Sequence, residues 1–168
     1  MKKGPKMTKD TVPEGFSLAL GLVDLVPVVF FGLGALRVGQ LFSSTLFMVG
    51  AAVCLGSGLV KALWKLIAAR SGKNVWPMFV QMRILMPAGF LIMLAALLAG
   101  REKLRGGAIL SGLLGFPAWV FFGLGALGMV LMTVFALRLD PRDPKANWLE
   151  QAVNGAAQLY FFIGLMLV

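Results

Sequence analysis

The sequence has no histidine and a single cysteine, Cys54, among 168 residues. Without histidine there is no imidazole general base and no His-ligated haem. With one cysteine there is no intramolecular disulfide, no thiol pair and no Cys/His zinc site. Acidic residues are also scarce, seven against sixteen Lys and Arg. No two carboxylates fall together within an apolar run, so the metal-binding acids that phosphoryl or acyl chemistry in a membrane commonly uses are missing. The chain is therefore not read as an enzyme, and no metal site or cofactor is expected.

What the chain does have is apolar length. Hydrophobic residues make up 59% of it and charged residues 14%. A transmembrane helix needs about 20 apolar residues, so the composition furnishes about five. The charges fall in short clusters between long apolar runs, which excludes an ordinary soluble domain and a disordered chain. It also excludes a nucleic-acid-binding domain, despite the net charge of +9. That excess is read as topology and contact with anionic lipid headgroups. The fold class is all-α, a polytopic integral membrane protein.

Residues 1–15 form a basic tail with no cleavable-signal pattern. A single transmembrane domain over 16–168 follows, with spans expected at about 16–36, 41–60, 77–99, 108–137 and 148–168. The second helix is expected to continue through Lys61, Trp64 and Lys65 as an interfacial anchor, a role also given to Trp76 and Trp148. The fourth span is too long for one perpendicular helix at 1.5 Å per residue. It is expected to tilt, or to break near Gly115-Phe116-Pro117. Asp143 followed by Pro144 reads as an N-cap and first helical residue. Lys2, Lys3, Lys6, Lys9, Lys61, Lys65, Arg70, Lys73, Arg138, Arg142 and Lys145 fall on one side, and Arg37, Arg101, Lys103 and Arg105 on the other. The bias puts the N-terminus in the cytoplasm and the C-terminus outside, in the plasma membrane of a prokaryote.

Val29-Phe-Phe-Gly-Leu-Gly-Ala-Leu36 recurs identically as Val120-Phe-Phe-Gly-Leu-Gly-Ala-Leu127, an offset of 91 residues. The copies fall in spans one and four, which cross in opposite directions. That is the arrangement of an inverted-topology repeat. The second half lacks its third span, so a homodimer or a membrane partner subunit is expected to supply the missing surface. Gly32, Gly34, Gly123 and Gly125 also read as helix-packing positions.

The polar residues within the spans are the candidate site. Asp24 lies three residues before Pro27, which cannot donate to the carbonyl of Val23. An ionised carboxylate at such depth costs about 2.5–3.5 kcal/mol. It implies either an ion or proton site or a salt bridge that fixes the helix. Arg83 is the expected partner, four residues before Pro87; snorkelling to lipid phosphate is its alternative. Asn147, Gln151, Asn154 and Gln158 recur at spacings of four, three and four, one stripe on span five. The stripe is expected to line a hydrated path or to bond neighbouring helices. Asp24, Arg83, Gln151, Asn154 and Gln158 are the expected substrate or ion path, with kinks at Pro27, Pro87 and Pro117. These features point to a small transporter or channel for an ion or small polar solute. The alternative is a non-catalytic subunit or assembly factor of a larger membrane complex.

Overall fold

The computed structural model describes residues 17–105, 107–139 and 143–168. The basic tail with Lys2, Lys3, Lys6 and Lys9, together with Asp140 and Arg142, lies outside the described residues. Every regular element among those described is helical. Four helical stretches are long and apolar enough to cross a membrane: Leu18–Phe42, Thr45–Ser71, Trp76–Ala99 and Ala118–Arg138. The expected fifth span is the helix Pro144–Met166, equally long at 23 residues. Its stripe of Asn and Gln, with Lys145 and Glu150, sets it apart from the four apolar helices.

The first span is two helices, α1 (Leu18–Val23) and α2 (Leu25–Phe42), interrupted at Asp24. The Ser17 hydroxyl caps α1 by accepting from the Leu20 N–H at 3.1 Å, the ordinary use of serine at a helix start. The interruption follows from Pro27, which has no N–H for the carbonyl of Val23. Ser43, at φ 45°, ends α2. The Ser44 hydroxyl then caps α3 (Thr45–Ser71) through the Phe47 N–H at 3.2 Å. The hairpin turn is therefore two residues long and lies at 43–44 rather than at 37–40. Gly72, at φ 63°, closes α3 in the left-handed conformation that glycine tolerates best.

The next span divides into α4 (Trp76–Val80) and α5 (Met82–Ala99) at Gln81. The expected kink at Pro87 is not where the helix breaks; α5 runs through that proline. At Gln81 the side-chain amide donates to the carbonyls of Met78 and Ser57, at 3.2 and 3.0 Å. Two short helices follow, α6 (Arg101–Arg105) and α7 (Ala108–Leu114). Residues 115–117 interrupt the chain before α8 (Ala118–Arg138), with a cis bond between Phe116 and Pro117. The Asp143 carboxylate caps α9 (Pro144–Met166) by accepting from the Lys145 N–H at 2.9 Å.

Glycine lets two helices meet backbone to backbone. A methyl on Gly50 would lie 2.7 Å from the Gly89 carbonyl oxygen, and one on Gly89 would lie 2.8 Å from that of Gly50. Backbone meets backbone there, and α3 with α5 is the most extensive helix pair. In lipid, such small residues are what allow helices to approach. Contacts such as Gly32 with Leu55, Gly50 with Met93, Gly34 with Leu165 and Gly125 with Phe161 give the directions. Helices α2 and α9 run parallel, while α3 is antiparallel to α2, α5 to α3, and α8 to α9. The helices lie in the order α5, α3, α2, α9, α8. The arc is open, because no extensive contact joins α5 to α8.

Gly32, Gly34 and Gly125 each lie against a neighbouring side chain, but a methyl on Gly123 would meet nothing within 4 Å. Of the four expected packing glycines, Gly123 thus meets no neighbour within this chain, and its face of α8 is bare.

Candidate functional site

The break at Asp24 turns a carboxylate inward. Asp24 accepts from the Lys65 ammonium at 3.0 Å, and each side chain is only 5% exposed. The partner is thus Lys65 on α3, not Arg83. The reason is topological: α5 packs on α3 and has no extensive contact with α1 or α2. Arg83 instead lies on an exposed position with its guanidinium 5.2 Å from the centre of the Phe79 ring. That distance is within cation–π range.

Lys65 and Trp64, which read in sequence as an interfacial anchor, are both buried within the protein. The Trp64 ring lies tilted against Phe79, centroids 4.9 Å apart, and Trp64 donates its indole N–H to the Asn74 side chain at 2.9 Å. Burial frees Lys65 from lipid and commits it to Asp24. Lys61, one turn earlier on α3, and Glu150 on α9 lie within electrostatic reach of the pair. Asp24 and Lys65 are thus paired between the α1–α2 break and α3, with Lys61 and Glu150 close enough to act on them electrostatically. At such depth, isolated charges are costly and paired ones are the rule. The hairpin register, not local sequence, brings Lys65 to Asp24.

The stripe on α9 divides along its length. Asn147 and Gln151 are buried. Asn147 donates to the Asp143 carbonyl at 3.2 Å. The Gln151 side-chain oxygen is buried without a hydrogen-bond partner. A methyl on Gly155, one turn on, would lie 3.6 Å from Val26 of α2, so Gln151 belongs to the same end of the bundle as the charges. Asn154 is half-buried. Gln158 points away from this cluster, its amide 3.8 Å from the Met129 sulfur on α8.

Gln158 lies instead on a cavity of about 530 Å³. Helices α2 and α9 form its floor with Phe30, Phe31 and Phe162. Helices α5 and α8 form its two sides with Phe90 and Phe122. Gln158 is the one polar side chain among its lining residues. No extensive contact joins α5 to α8 across the cavity. Of the expected path residues, then, Asp24 and Gln151 lie at one end with Asn154 beyond them. Gln158 faces the apolar cavity, and Arg83 stands apart on α5.

At the opposite end from Asp24, two cations serve helix ends. Arg37 donates to the Leu165 carbonyl at 3.4 Å, and the Lys103 ammonium donates to the Phe42 carbonyl. The last carbonyls of a helix lack intrahelical donors and carry the negative end of its dipole, so these cations have partners in the fold itself. Comparison with known protein families, curated proteins and solved structures finds no match to this chain.

Proposed function

We propose that the chain is a small transporter for an ion or a small polar solute, with the charge cluster at the α1–α2 break as its coupling site. The observation that carries this reading is the buried Asp24–Lys65 pair at an interrupted transmembrane helix, with Lys61 and Glu150 in reach. Interrupted helices and intramembrane charges together mark the ion and substrate sites of many transporters. A proton or cation arriving at Asp24 competes with Lys65 for the carboxylate. Releasing Lys65 alters how α1 sits on α3, which is a local event able to gate a path. Gln151 and Asn154 offer polar groups alongside it. The repeated octapeptide, in oppositely directed α2 and α8, fits an inverted-repeat origin.

The test is flux in proteoliposomes holding the purified full chain. An imposed pH or sodium gradient should drive uptake from a panel of radiolabelled small solutes, or dissipate faster than in protein-free vesicles. Asp24→Asn should abolish that movement while the protein still elutes as a folded species. Wild-type vesicles indistinguishable from empty ones across the panel would count against transport.

A second reading has its own observation. The apolar cavity between α5 and α8 leaves an open flank, as in a subunit awaiting a neighbour. On that reading the chain is a non-catalytic subunit or assembly factor. Gentle extraction from native membranes should then yield a stable complex with a different protein.

A further inference from the structure

We infer that the open flank is closed by a second copy of this chain, with α5 of each copy seated on the bare face of α8 of the other. The two identical octapeptides carry the argument, because one is covered and the other is not. In α2, Gly32 lies against Leu55 of α3, and Ala35 is buried in a cluster with Phe47, Ala51 and Ala96. The corresponding Gly123 and Ala126 of α8 are exposed, and a methyl on Gly123 would meet nothing within 4 Å. The other face of each copy is used in the same way, Gly34 and Gly125 both meeting α9. One surface thus has two environments in one molecule. Where it is covered, an antiparallel helix covers it with large aliphatic side chains and small residues.

This chain offers such a helix. Helix α5 runs antiparallel to α8 and stands on the other side of the cavity mouth. Beyond the cavity-lining Phe90 it projects Leu91, Leu94 and Leu98, exposed by 66, 52 and 60%. These are knobs, and Gly123 with Ala126 is the hole. A two-fold axis normal to the membrane, passing between two facing cavity mouths, brings α5 of one copy to α8 of its partner on both sides at once. The contact is then closed and used twice. Two small-to-large helix contacts in lipid give the close packing that drives association there. The two cavities merge into one enclosed apolar chamber bearing a Gln158 from each copy. The inference does not depend on the transport reading, since it concerns the closure of the bundle and not what passes through it.

The experiment uses the full chain in nanodiscs and in the membrane. Native mass spectrometry should give twice the 18.0 kDa chain mass. Gly123→Ile and Ala126→Leu each add bulk where the monomer has open space. Each should lower the dimer fraction at least tenfold while leaving helicity and monomer folding intact. Gly56→Ile is the control, because Gly56 is equally bare but lies on α3 outside the octapeptides; it should remain dimeric. Two differently tagged copies in a Cys54→Ala background then test the pairing, one with Leu91→Cys and the other with Ala126→Cys. Oxidation should cross-link the mixed pair and neither variant with itself. A monomeric wild type, a dimer indifferent to Gly123→Ile, self-cross-linking equal to the mixed pair, or a complex with a different protein would each overturn the inference.

Discussion

Lys65 donates to Asp24 at 3.0 Å across the α1–α3 contact, with both side chains buried. A buried pair of this kind resists the loss of either partner more than the loss of both. Removing one leaves an uncompensated charge, at a cost of about 3–5 kcal/mol, whereas replacing both with apolar groups is often close to neutral. Lys65→Met should therefore lower stability by about 3–5 kcal/mol, as followed by denaturant unfolding in detergent. Asp24→Leu combined with Lys65→Met should recover most of that loss. A double variant as unstable as the single one would mean that the pair does not account for the stability of this contact. Transport should be absent from the double variant, which lacks the Asp24 carboxylate, and altered in Lys65→Met, which keeps the carboxylate without its partner.

The pairing of Asp24 with Lys65 depends on the hairpin register, which a single residue obscures in the sequence. In sequence Arg37 reads as a loop residue, which puts the first turn at 37–40. Arg37 is in fact helical and spends its charge on the Leu165 carbonyl. The turn therefore falls at 43–44, and an antiparallel hairpin folded there brings Asp24 level with the stretch of α3 around Lys65. Apolar run length and the charge clusters made the helices themselves legible, as did the Asp143-Pro144 cap and the break near Pro117. Lateral order was not legible. Nothing in the composition of α5 says that it packs on α3 alone, so Arg83 was brought to the wrong neighbour. The glycines were readable as packing residues in general. Which of them meets a backbone and which faces open lipid depends on the arc.

Gly89 and Gly50 give a second prediction. A Cβ at either position would sit under 3.0 Å from backbone atoms of the other helix, and backbone cannot swing aside as a side chain can. Gly89→Ala should cost about 1–3 kcal/mol by overpacking, and Gly89→Leu should prevent α5 from docking on α3. Gly123→Ala should leave the monomer's stability unchanged, because that Cβ meets nothing within 4 Å. Unfolding midpoints under dimer-dissociating detergent conditions would compare the two alanine variants directly. Equal effects would contradict the crossing described.

Gln151 separates stability from function. Its side-chain oxygen is buried and has no hydrogen-bond partner, and an unsatisfied buried acceptor is costly, by about 1–3 kcal/mol. Gln151→Leu keeps a similar volume and removes the unsatisfied group. It should leave the fold as stable as wild type or more so, while reducing any flux that uses the polar stripe. Parallel thermal denaturation and proteoliposome assays would read both effects on one preparation. A destabilised Gln151→Leu would assign the amide a structural role instead.

The orientation rests on charges of unequal meaning. Arg37 and Lys103 lie on the less basic side, yet each is partnered by a carbonyl at a helix end. They have a structural reason to be there apart from any part in topology. On the other side Lys73 is exposed and Arg70 stands in the last turn of α3. With the N-terminus in the cytoplasm, Lys73→Cys in a Cys54→Ala background should resist a membrane-impermeant maleimide added to intact cells. It should react once the membrane is opened. Glu102→Cys, on the exposed α6 at the opposite end, should react in intact cells. The reverse pattern would invert the topology and move the Asp24–Lys65 pair to the outer half of the membrane. A coupling proton or cation would then have to reach it from outside.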